Sequence, residues 1–270
     1  MSDNTDSTRP KDTWASGEAY EGYVGRWSRP IAGAFLNWLA VPADSLWLDL
    51  GCGTGALSQA ILELSHPARI KAIDRSIDFV AFARARTSDK RIQFEVGDAQ
   101  ALNIADGSFD AVVSGLVLNF IPQPEQALLE FVRVTRKGGI VGVYVWDYAD
   151  GMQFMRHFWD AAIALDPGAY DLDEGRRFPL CQPEPLKALF QASGLSQVEL
   201  IPVEIPTDFR DFDDYWSPFL GGQGPAPSYV MSLSEAGRSD LREKIRASLP
   251  IQPDGSIHLS ARAWCVKGVR

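Results

Sequence analysis

Three glycines alternate with other residues between an apolar run and an amphipathic run of the chain. The stretch over 48–55 reads Leu-Asp-Leu-Gly-Cys-Gly-Thr-Gly. Glycine lacks a Cβ, so a ligand can approach the backbone closely at such a turn. Gly51, Gly53 and Ala56 also fit the G-x-G-x-x-G/A pattern of dinucleotide sites. A turn without a ligand, a dinucleotide site and a site for another nucleoside cofactor are therefore three open interpretations.

Acidic residues around this turn narrow the choice of ligand. Asp49 precedes Gly51 by two residues, and Asp74 lies about 20 residues beyond the glycines, where a carboxylate can accept both hydroxyls of a ribose. The Asp49 carboxylate would repel a pyrophosphate and attract an ammonium group. S-adenosylmethionine carries an ammonium and a sulfonium and no phosphate. A further carboxylate at Asp98, beside the small Ala99, can accept from an adenine amino group.

The segments that must position these residues alternate between strand and helix. A buried strand is predicted at Ser45–Leu50, and further strands are predicted at Arg69–Ile73, Arg91–Val96, Phe109–Ser114 and Ile140–Val145. Helices are predicted between them, at Ala56–Leu64, from a cap at Ser76 to about 87, and at Pro124–Thr135. Gly138 and Gly139 separate the last of these helices from the fifth strand. This alternation predicts the α/β class, with a doubly wound, Rossmann-like, mostly parallel sheet.

Beyond Trp146 the pattern changes, and helical or irregular insertions are expected to cap the sheet. The predicted organisation is a disordered tail over 1–13 and one domain over 14–270, with its core at 45–146 and cap insertions at about 147–195 and 208–235. The elements predicted outside the core are a short helix at about 30–40, helices at Gly151–Leu165, 183–192 and Ser234–Ser248, and strands at Gln197–Ile205 and Ser256–Val266. The segment Asp208–Ser232 is expected to be irregular.

Composition excludes several classes of partner. The net charge is −9, from 26 basic and 35 acidic residues, and nucleic-acid binding requires a basic footprint instead. No apolar run approaches the roughly 20 residues of a membrane span, and the N-terminus has no apolar core of a secretory signal. Three scattered cysteines are typical of a reduced, cytoplasmic chain, and three scattered histidines give no metal-site spacing.

Five motifs in the core resemble those of the class I S-adenosylmethionine-dependent methyltransferases, in particular the ubiquinone-biosynthesis-like branch that acts on small molecules. The motifs are Asp49–Gly55, Asp74, Gly97–Ala99, Phe109–Val112 and the run from Arg133 to Gly139. Together they cover about 45–146. Two positions depart from the family pattern: Lys137 stands where proline is usual, and Asn119 stands where many members have histidine.

The resemblance implies S-adenosylmethionine as cofactor and a role for each matching residue. Asp49 and the loop Gly51–Gly55, including Cys52, would hold the methionine part. Asp74, followed by Arg75, would hold the ribose. Asp98 and Ala99 would hold the adenine, and Ser114 would line the cleft.

A segment before the sheet, Tyr20-x-x-Tyr23-x-x-Arg26-Trp27, corresponds to the family's cofactor-covering helix. Arg26 is expected either to pair with the methionine carboxylate or to be an exposed arginine.

Transfer from a sulfonium requires mainly alignment and exclusion of water, whereas a hydroxyl acceptor also requires a base. Three residues are candidates for that role. His157 is either a pocket base or a solvated helix residue. Asp147 is either an acceptor ligand or a loop cap. Tyr23 is either a donor to cofactor or acceptor, or a packing residue.

Aromatic residues in the insertions are either core or the lining of a pocket for a small, partly apolar acceptor. They are Trp146, Phe154, Phe158, Trp159, Tyr215, Trp216 and Phe219. Gly221–Pro225 is either a lid hinge or an ordinary loop. The leading hypothesis is a small-molecule methyltransferase, and the alternatives are an NAD- or FAD-dependent oxidoreductase and a non-catalytic protein of the same fold.

Overall fold

A strand buried on both faces lies near the middle of the sheet and carries the glycine turn at its end. In the computed structural model, which describes residues 21–221 and 224–270, β1 is Leu46–Leu50, and Trp47, Leu48 and Leu50 are fully buried. Such apolar residues on both sides are typical of a parallel strand covered by helices on each face. The sequence predictions for the tail over 1–13 and for Tyr20 lie outside the described residues.

Seven strands form one sheet in the order β3-β2-β1-β4-β5-β7-β6. β1 to β5 are parallel, and β7 pairs antiparallel with both β5 and β6. The other strands are β2 Arg69–Asp74, β3 Ile92–Val96, β4 Phe109–Gly115, β5 Thr135–Trp146, β6 Ser196–Phe209 and β7 Ile257–Val269. The predicted mostly parallel, doubly wound α/β fold is confirmed.

Helices cover the two faces of the sheet and its carboxyl edge. Those in and before the core are α1 Arg26–Leu39, α2 Ala56–Leu64, α3 Ile77–Ala85 and α4 Pro124–Val134. Those beyond it are α5 Gln153–Leu165, α6 Glu174–Arg177, α7 Pro183–Ala192, α8 Phe212–Trp216, α9 Pro225–Ser232 and α10 Glu235–Ser248. Within the described ranges, no helix is both long and apolar enough to cross a membrane.

Helix α1 packs closely on the sheet because β5 has a glycine beneath it. Ile31, Phe35 and Leu39 repeat every four residues and are buried, which gives the helix one apolar face. A Cβ at Gly142 would lie 2.8 Å from Leu39 Cδ2 and 3.0 Å from Phe35 Cζ. The glycine therefore sets how closely the helix approaches the strand.

Several predicted boundaries were wrong because pairing across the sheet extends the strands. β5 begins at Thr135 and runs through the two glycines, where a register shift opposite Phe109 accommodates the close passage to β4. A Cβ at Gly139 would lie 2.8 Å from the Asp110 carbonyl oxygen. β6 and β7 also run further than predicted, because they pair with each other from Ser196 to Phe209.

The segment expected to be irregular after Asp208 contains two helices. It begins with the last residues of β6 and continues into α8, whose start is capped by the Asp211 side chain accepting from Asp214 N at 2.8 Å. A 3-10 turn, Ser217–Gly221, and α9 follow. These helices have at most eight residues each, too short for a clear helical period in the sequence.

Candidate active site

A cavity of about 390 Å³ opens at the carboxyl ends of the parallel strands. β1 pairs with β2 on one side and with β4 on the other. The order of the strands along the sheet therefore reverses at β1. Ligands of open α/β sheets bind at such a switch point. The predicted site residues in its lining are Asp49, Gly51, Cys52, Gly53, Asp74, Arg75, Asp98 and Ala99.

The glycine loop has a left-handed backbone that it needs in order to turn from β1 into α2. Gly51 has φ +73° and Gly53 has φ +51°. A Cβ at Gly51 would lie 2.5 Å from Val117 Cγ1, whereas a Cβ at Gly53 would meet no atom within 4 Å. Gly51 is therefore required by the packing of the loop, and Gly53 faces open space in the cavity lining.

The carboxylate of Asp74 ties the end of β2 to the glycine loop. Its Oδ2 accepts from Gly53 N at 2.9 Å, and its Oδ1 accepts from Ser76 N at 2.8 Å. The side chain is nearly buried and lines the cavity. Each carboxylate oxygen can accept more than one hydrogen bond, so the group retains capacity for hydroxyl donors of a ligand.

Asp49 is fully buried at the cavity, and only one of its oxygens has a partner. Ser58 Oγ donates to Oδ2 at 2.5 Å, whereas Oδ1 has no hydrogen-bond partner. Burial raises the pKa of Asp49 to about 7, against the opposing effect of the Ser58 hydrogen bond. A cation placed at Oδ1 would stabilise the ionised form.

Asp98 and Arg75 stand at the β2–β3 side of the cavity. The backbone N–H of Gln100 donates to Asp98 Oδ1 at 2.9 Å and lowers the pKa of that carboxyl. Gly97 precedes it, and a Cβ there would lie 2.9 Å from Ile73 Cγ2. Glycine at this position is therefore required by packing against Ile73, and Gly97, Asp98 and Ala99 all line the cavity.

Four aromatic side chains form a wall on the opposite, β5 side of the cavity. Phe120, Tyr144, Trp146 and Tyr148 all line it, and we call this set the aromatic wall. Tyr144 and Trp146 are alternate residues of β5, so they face the same side of the sheet. The Trp146 indole N–H is buried and has no hydrogen-bond partner.

Most of the aromatic wall escaped the sequence analysis, together with several other lining residues. The alternation Tyr144-x-Trp146 was a readable signal for a shared strand face, whereas Tyr148 lies in the turn after β5 and Phe120 lies on a 3-10 turn. Further lining residues not predicted are Val24, Ser28, Ser76, Phe79, Gln100, Leu116, Val117, Ile121 and Pro122.

Arg26 does not face the cavity, which corrects its predicted pairing with a methionine carboxylate. Its Nη1 donates to Asp214 Oδ1 at 3.0 Å, and its Nη2 donates to the Asp208 carbonyl oxygen. The guanidinium also lies over the rings of Trp27 and Phe209. It therefore joins α1 to the cap, outside the cavity lining, and is not a free surface arginine.

The three candidate bases are placed outside the cavity lining. Tyr23 is buried, and its hydroxyl donates to Met155 Sδ. Of its two interpretations, this contact favours the packing role. His157 is half-buried with its Nδ1 3.1 Å from Ser248 Oγ, and burial lowers its pKa.

The contacts of Asp147 favour the loop-capping role over a role in binding the acceptor. Its Oδ1 accepts from Asp150 N at 3.1 Å, and its Oδ2 pairs with Arg262 Nη2 at 2.6 Å. This pairing fastens the end of β5 to β7. The prediction of these three residues as catalytic bases is therefore not supported by their positions.

Two predicted cofactor residues also lie outside the lining. Gly55 has φ +89° and begins α2, so its role is to shape the turn. The Ser114 hydroxyl is fully buried without a hydrogen-bond partner, and its neighbour Gly115 is the residue that lines the cavity.

The aromatic residues of the cap are mostly core. The rings of Phe158 and Phe219 stack with centroids 4.6 Å apart, and the Tyr215 hydroxyl donates to the Phe154 carbonyl oxygen at 2.6 Å. Of the predicted set, only Trp146 lines the cavity. The proposed hinge over 221–225 includes two residues outside the described ranges. Across the described chain, no cluster of three or more His, Cys, Asp or Glu could hold a metal ion.

Residues 48–143 match the family model described as a methyltransferase domain. A 2-methyl-6-phytyl-1,4-hydroquinone methyltransferase of a Synechocystis species is 30% identical over 187 residues, covering 68% of this chain and 57% of that protein. A demethylmenaquinone methyltransferase of Renibacterium salmoninarum is 34% identical over 134 residues, covering 50% of this chain and 53% of that protein. The chain spans about half the length of the curated relatives it matches.

A solved structure with similar architecture is phosphoethanolamine N-methyltransferase 2 of Haemonchus contortus in complex with S-adenosyl-L-methionine. It aligns with a TM-score of 0.60 at 17% identity, covering 94% of this chain and 56% of that one. Residues 48–143 are thus a methyltransferase domain, and the fold and the glycine loop are similar to those of class I S-adenosylmethionine-dependent methyltransferases. The curated relatives it matches include quinone methyltransferases, in line with the similarity of its motifs to the ubiquinone-biosynthesis-like branch.

Proposed function

We propose that this protein transfers a methyl group from S-adenosylmethionine to a small, partly apolar acceptor. The observation that carries the proposal is the buried Asp49 carboxylate, which places an oxygen without a partner at the glycine loop. A dinucleotide would bring a pyrophosphate to this loop and meet repulsion there. The α-ammonium of S-adenosylmethionine would instead complete the coordination of Asp49.

The other lining residues fit the remaining parts of the cofactor. Asp74 would accept the ribose hydroxyls while it holds the loop through Gly53. Asp98 and Ala99 would receive the adenine at the part of the cavity that they line. Arg75 would lie at the open edge of the same site. The cofactor supplies a methyl group already activated by the positive charge of its sulfur.

The protein's own contribution to transfer would be alignment and exclusion of water. The aromatic wall of the cavity is nearly inaccessible to solvent at Tyr144 and Trp146. The residues predicted as bases, Tyr23, Asp147 and His157, lie outside the cavity lining and contact other side chains. We therefore expect an acceptor whose nucleophilic atom needs little help from a dedicated base, such as a thiolate, an amine or an electron-rich hydroquinone ring.

The curated relatives support a small aromatic acceptor, since their names specify a phytyl hydroquinone and demethylmenaquinone. The charge of −9 supports acceptors other than nucleic acids. Three cysteines that are free and buried support a reducing, cytoplasmic location.

The proposal is tested by incubating the full chain with methyl-labelled S-adenosylmethionine and a panel of hydroquinones, phenols, thiols, amines and carboxylates. Mass spectrometry would detect the methylated product and S-adenosylhomocysteine in equal amounts. Asp74→Asn is the matched variant and should lower turnover at low cofactor concentration. Cofactor binding without methylation of any acceptor would instead indicate a non-catalytic cofactor-binding protein.

A further inference from the structure

One part of the cavity lining comes from a helical turn that precedes the sheet. A π-helical turn, Glu21–Gly25, leads directly into α1. Val24 and Ser28 line the cavity and are buried, and they lie four residues apart, on one helix face. Between described residues, no backbone hydrogen bond joins residues 21–28 to a strand or to the cap. Side-chain contacts therefore hold this part of the lining in place.

Aromatic contacts attach other faces of the same turn to the cap. The Tyr23 ring packs edge-on against Phe219, with centroids 5.5 Å apart. The Trp27 ring packs in the same way against Phe209 at 5.6 Å. We call residues 23–28 the strap, because one face of this segment lines the cavity and the others contact the cap.

An ion pair joins the strap to the cap across the same boundary. Arg26 Nη1 donates to Asp214 Oδ1 at 3.0 Å, and Nη2 donates to Oδ2 at 3.3 Å. This bidentate geometry gives a stronger link than a single charged contact. The two side chains are 27% and 16% exposed, so water can reach both groups when they separate. Opening of this pair is therefore less costly than opening of a fully buried one.

From these contacts we infer that the Arg26–Asp214 pair is a latch that holds the strap closed, and that ligand enters and leaves the cavity when the strap opens. Arg26 and Asp214 are positioning residues in this scheme, because they act on the cavity through Val24 and Ser28. The strands at the cavity are fixed by pairing within the sheet, whereas the strap can move without breaking any strand pairing. The inference rests on the proposed function only in taking S-adenosylhomocysteine as the ligand.

A latch of this kind changes rates and leaves affinity unchanged. Neither Arg26 nor Asp214 lines the cavity, so we expect the pair to form with and without ligand. Weakening the pair then raises the open fraction of the free and the bound chain by the same factor. Association and dissociation become faster together, and Kd stays the same, because the change favours neither state.

The experiment measures the association and dissociation rates of S-adenosylhomocysteine with the full chain by stopped flow, at low and at high salt. Arg26→Gln and Asp214→Asn should each raise both rates about three- to tenfold. The double variant should be no faster than either single variant, because all three lack the same interaction. High salt should accelerate exchange in the native chain but not in the variants, since it screens the pair and the ligand has no net charge at neutral pH.

Asp213→Asn is the matched control, because Asp213 lies on the same helix α8 but pairs with Arg242 of α10 at 2.8 Å. It should leave both rates unchanged. Hydrogen exchange of residues 21–28, measured by mass spectrometry without ligand, should be faster in Arg26→Gln and Asp214→Asn than in the native chain and the control. Thermal unfolding checks that each variant is folded. If Arg26→Gln does not fold, Asp214→Asn tests the same pair.

Unchanged ligand rates and unchanged hydrogen exchange in the folded variants would overturn the inference. A higher Kd with an unchanged association rate would also overturn it, because Arg26 would then stabilise the bound ligand instead of the closed strap. Failure of the proposed function gives a different result, since S-adenosylhomocysteine would then not bind the native chain. Hydrogen exchange without ligand would in that case still decide whether the pair controls opening of the strap.

Discussion

Asp49 combines burial, one satisfied oxygen and one unsatisfied oxygen at a position where a ligand's ammonium group is expected. In the free protein its pKa of about 7 means that a large fraction is protonated at neutral pH. An ammonium binds the ionised form, so cofactor binding and loss of this proton are linked.

The linkage predicts a pH dependence for binding of S-adenosylhomocysteine. Affinity should be greatest above pH 7 and should fall up to about tenfold per pH unit below it, with a proton released on binding near pH 6.5. Calorimetry in two buffers of different ionisation enthalpy measures this release. Asp49→Asn should weaken binding at pH 8 and abolish the pH dependence, and the same dependence in that variant would contradict the assignment.

Asp74 holds the glycine loop and is proposed to bind the ribose. A conservative substitution separates these two roles. Asp74→Asn keeps an oxygen that can accept from the loop but removes the charge, so the dissociation constant of S-adenosylhomocysteine should rise tenfold or more. Asp78→Asn, at an exposed position on α3, is the matched control and should change nothing. Unchanged affinity in Asp74→Asn would exclude the ribose role.

At the scale of elements, the turn from β1 to α2 depends on two glycines for different reasons. Gly51→Ala places a methyl group 2.5 Å from Val117 Cγ1, so it should lower the melting temperature by several degrees and abolish cofactor binding. Gly53→Ala meets no neighbour, so it should lose only about 1–2 kcal/mol through its positive φ, yet weaken cofactor binding tenfold or more.

Gly138→Ala is the control for the backbone conformation alone. Its φ of +74° matches that of Gly51, and a Cβ there would have no neighbour within 4 Å. Thermal unfolding and calorimetry on the three variants test the scheme. If Gly51→Ala were no less stable than Gly138→Ala, the contact with Val117 would not be the reason for glycine.

Helix α6 carries a carboxyl that should make stability depend on pH. Glu174 is buried, and the Trp159 indole N–H donates to its Oε2. Burial raises its pKa to about 8 from 4.5. The folded chain therefore binds this proton more tightly than the unfolded chain, and this group's contribution falls by up to about 1.4 kcal/mol per pH unit between about 4.5 and 8.

Glu174→Gln removes that titration and keeps an oxygen that can accept from Trp159. Urea unfolding at pH 6 and pH 8 should show a smaller loss of stability in the variant than in the native chain. Glu184→Gln, at an exposed position of α7, should behave as the native chain does. Equal pH dependence in native chain and Glu174→Gln would show that the buried carboxyl does not titrate in this range.

The strand and helix order of the core could be predicted because local pattern alone determines it. Apolar strands such as Leu46–Leu50 are buried on both faces, and the glycine turn marks where helix α2 begins. The ends of β6 and β7 could not be predicted, because each depends on pairing with a strand more than forty residues away. The short helices α8 and α9 contain too few turns to show a period.

At the scale of the whole molecule, the site residues whose position depends on local sequence could be predicted, and those whose position depends on distant partners could not. Asp49, Asp74 and Asp98 lie at or just beyond the carboxyl ends of β1, β2 and β3, so their position at one edge of the sheet follows from a parallel topology. The role of Arg26 could not be predicted because its partner Asp214 lies 188 positions away in the sequence. The placement of Asp147 likewise depends on Arg262, on a distant strand.

Calorimetric titration of the full chain with S-adenosylhomocysteine, and separately with NAD, tests the central claim most directly. The carboxylates of Asp49, Asp74 and Asp98 around the cavity predict saturable binding of S-adenosylhomocysteine at one site, weakened by Asp74→Asn, and no binding of NAD. Binding of NAD, or displacement of S-adenosylhomocysteine by it, would contradict the account.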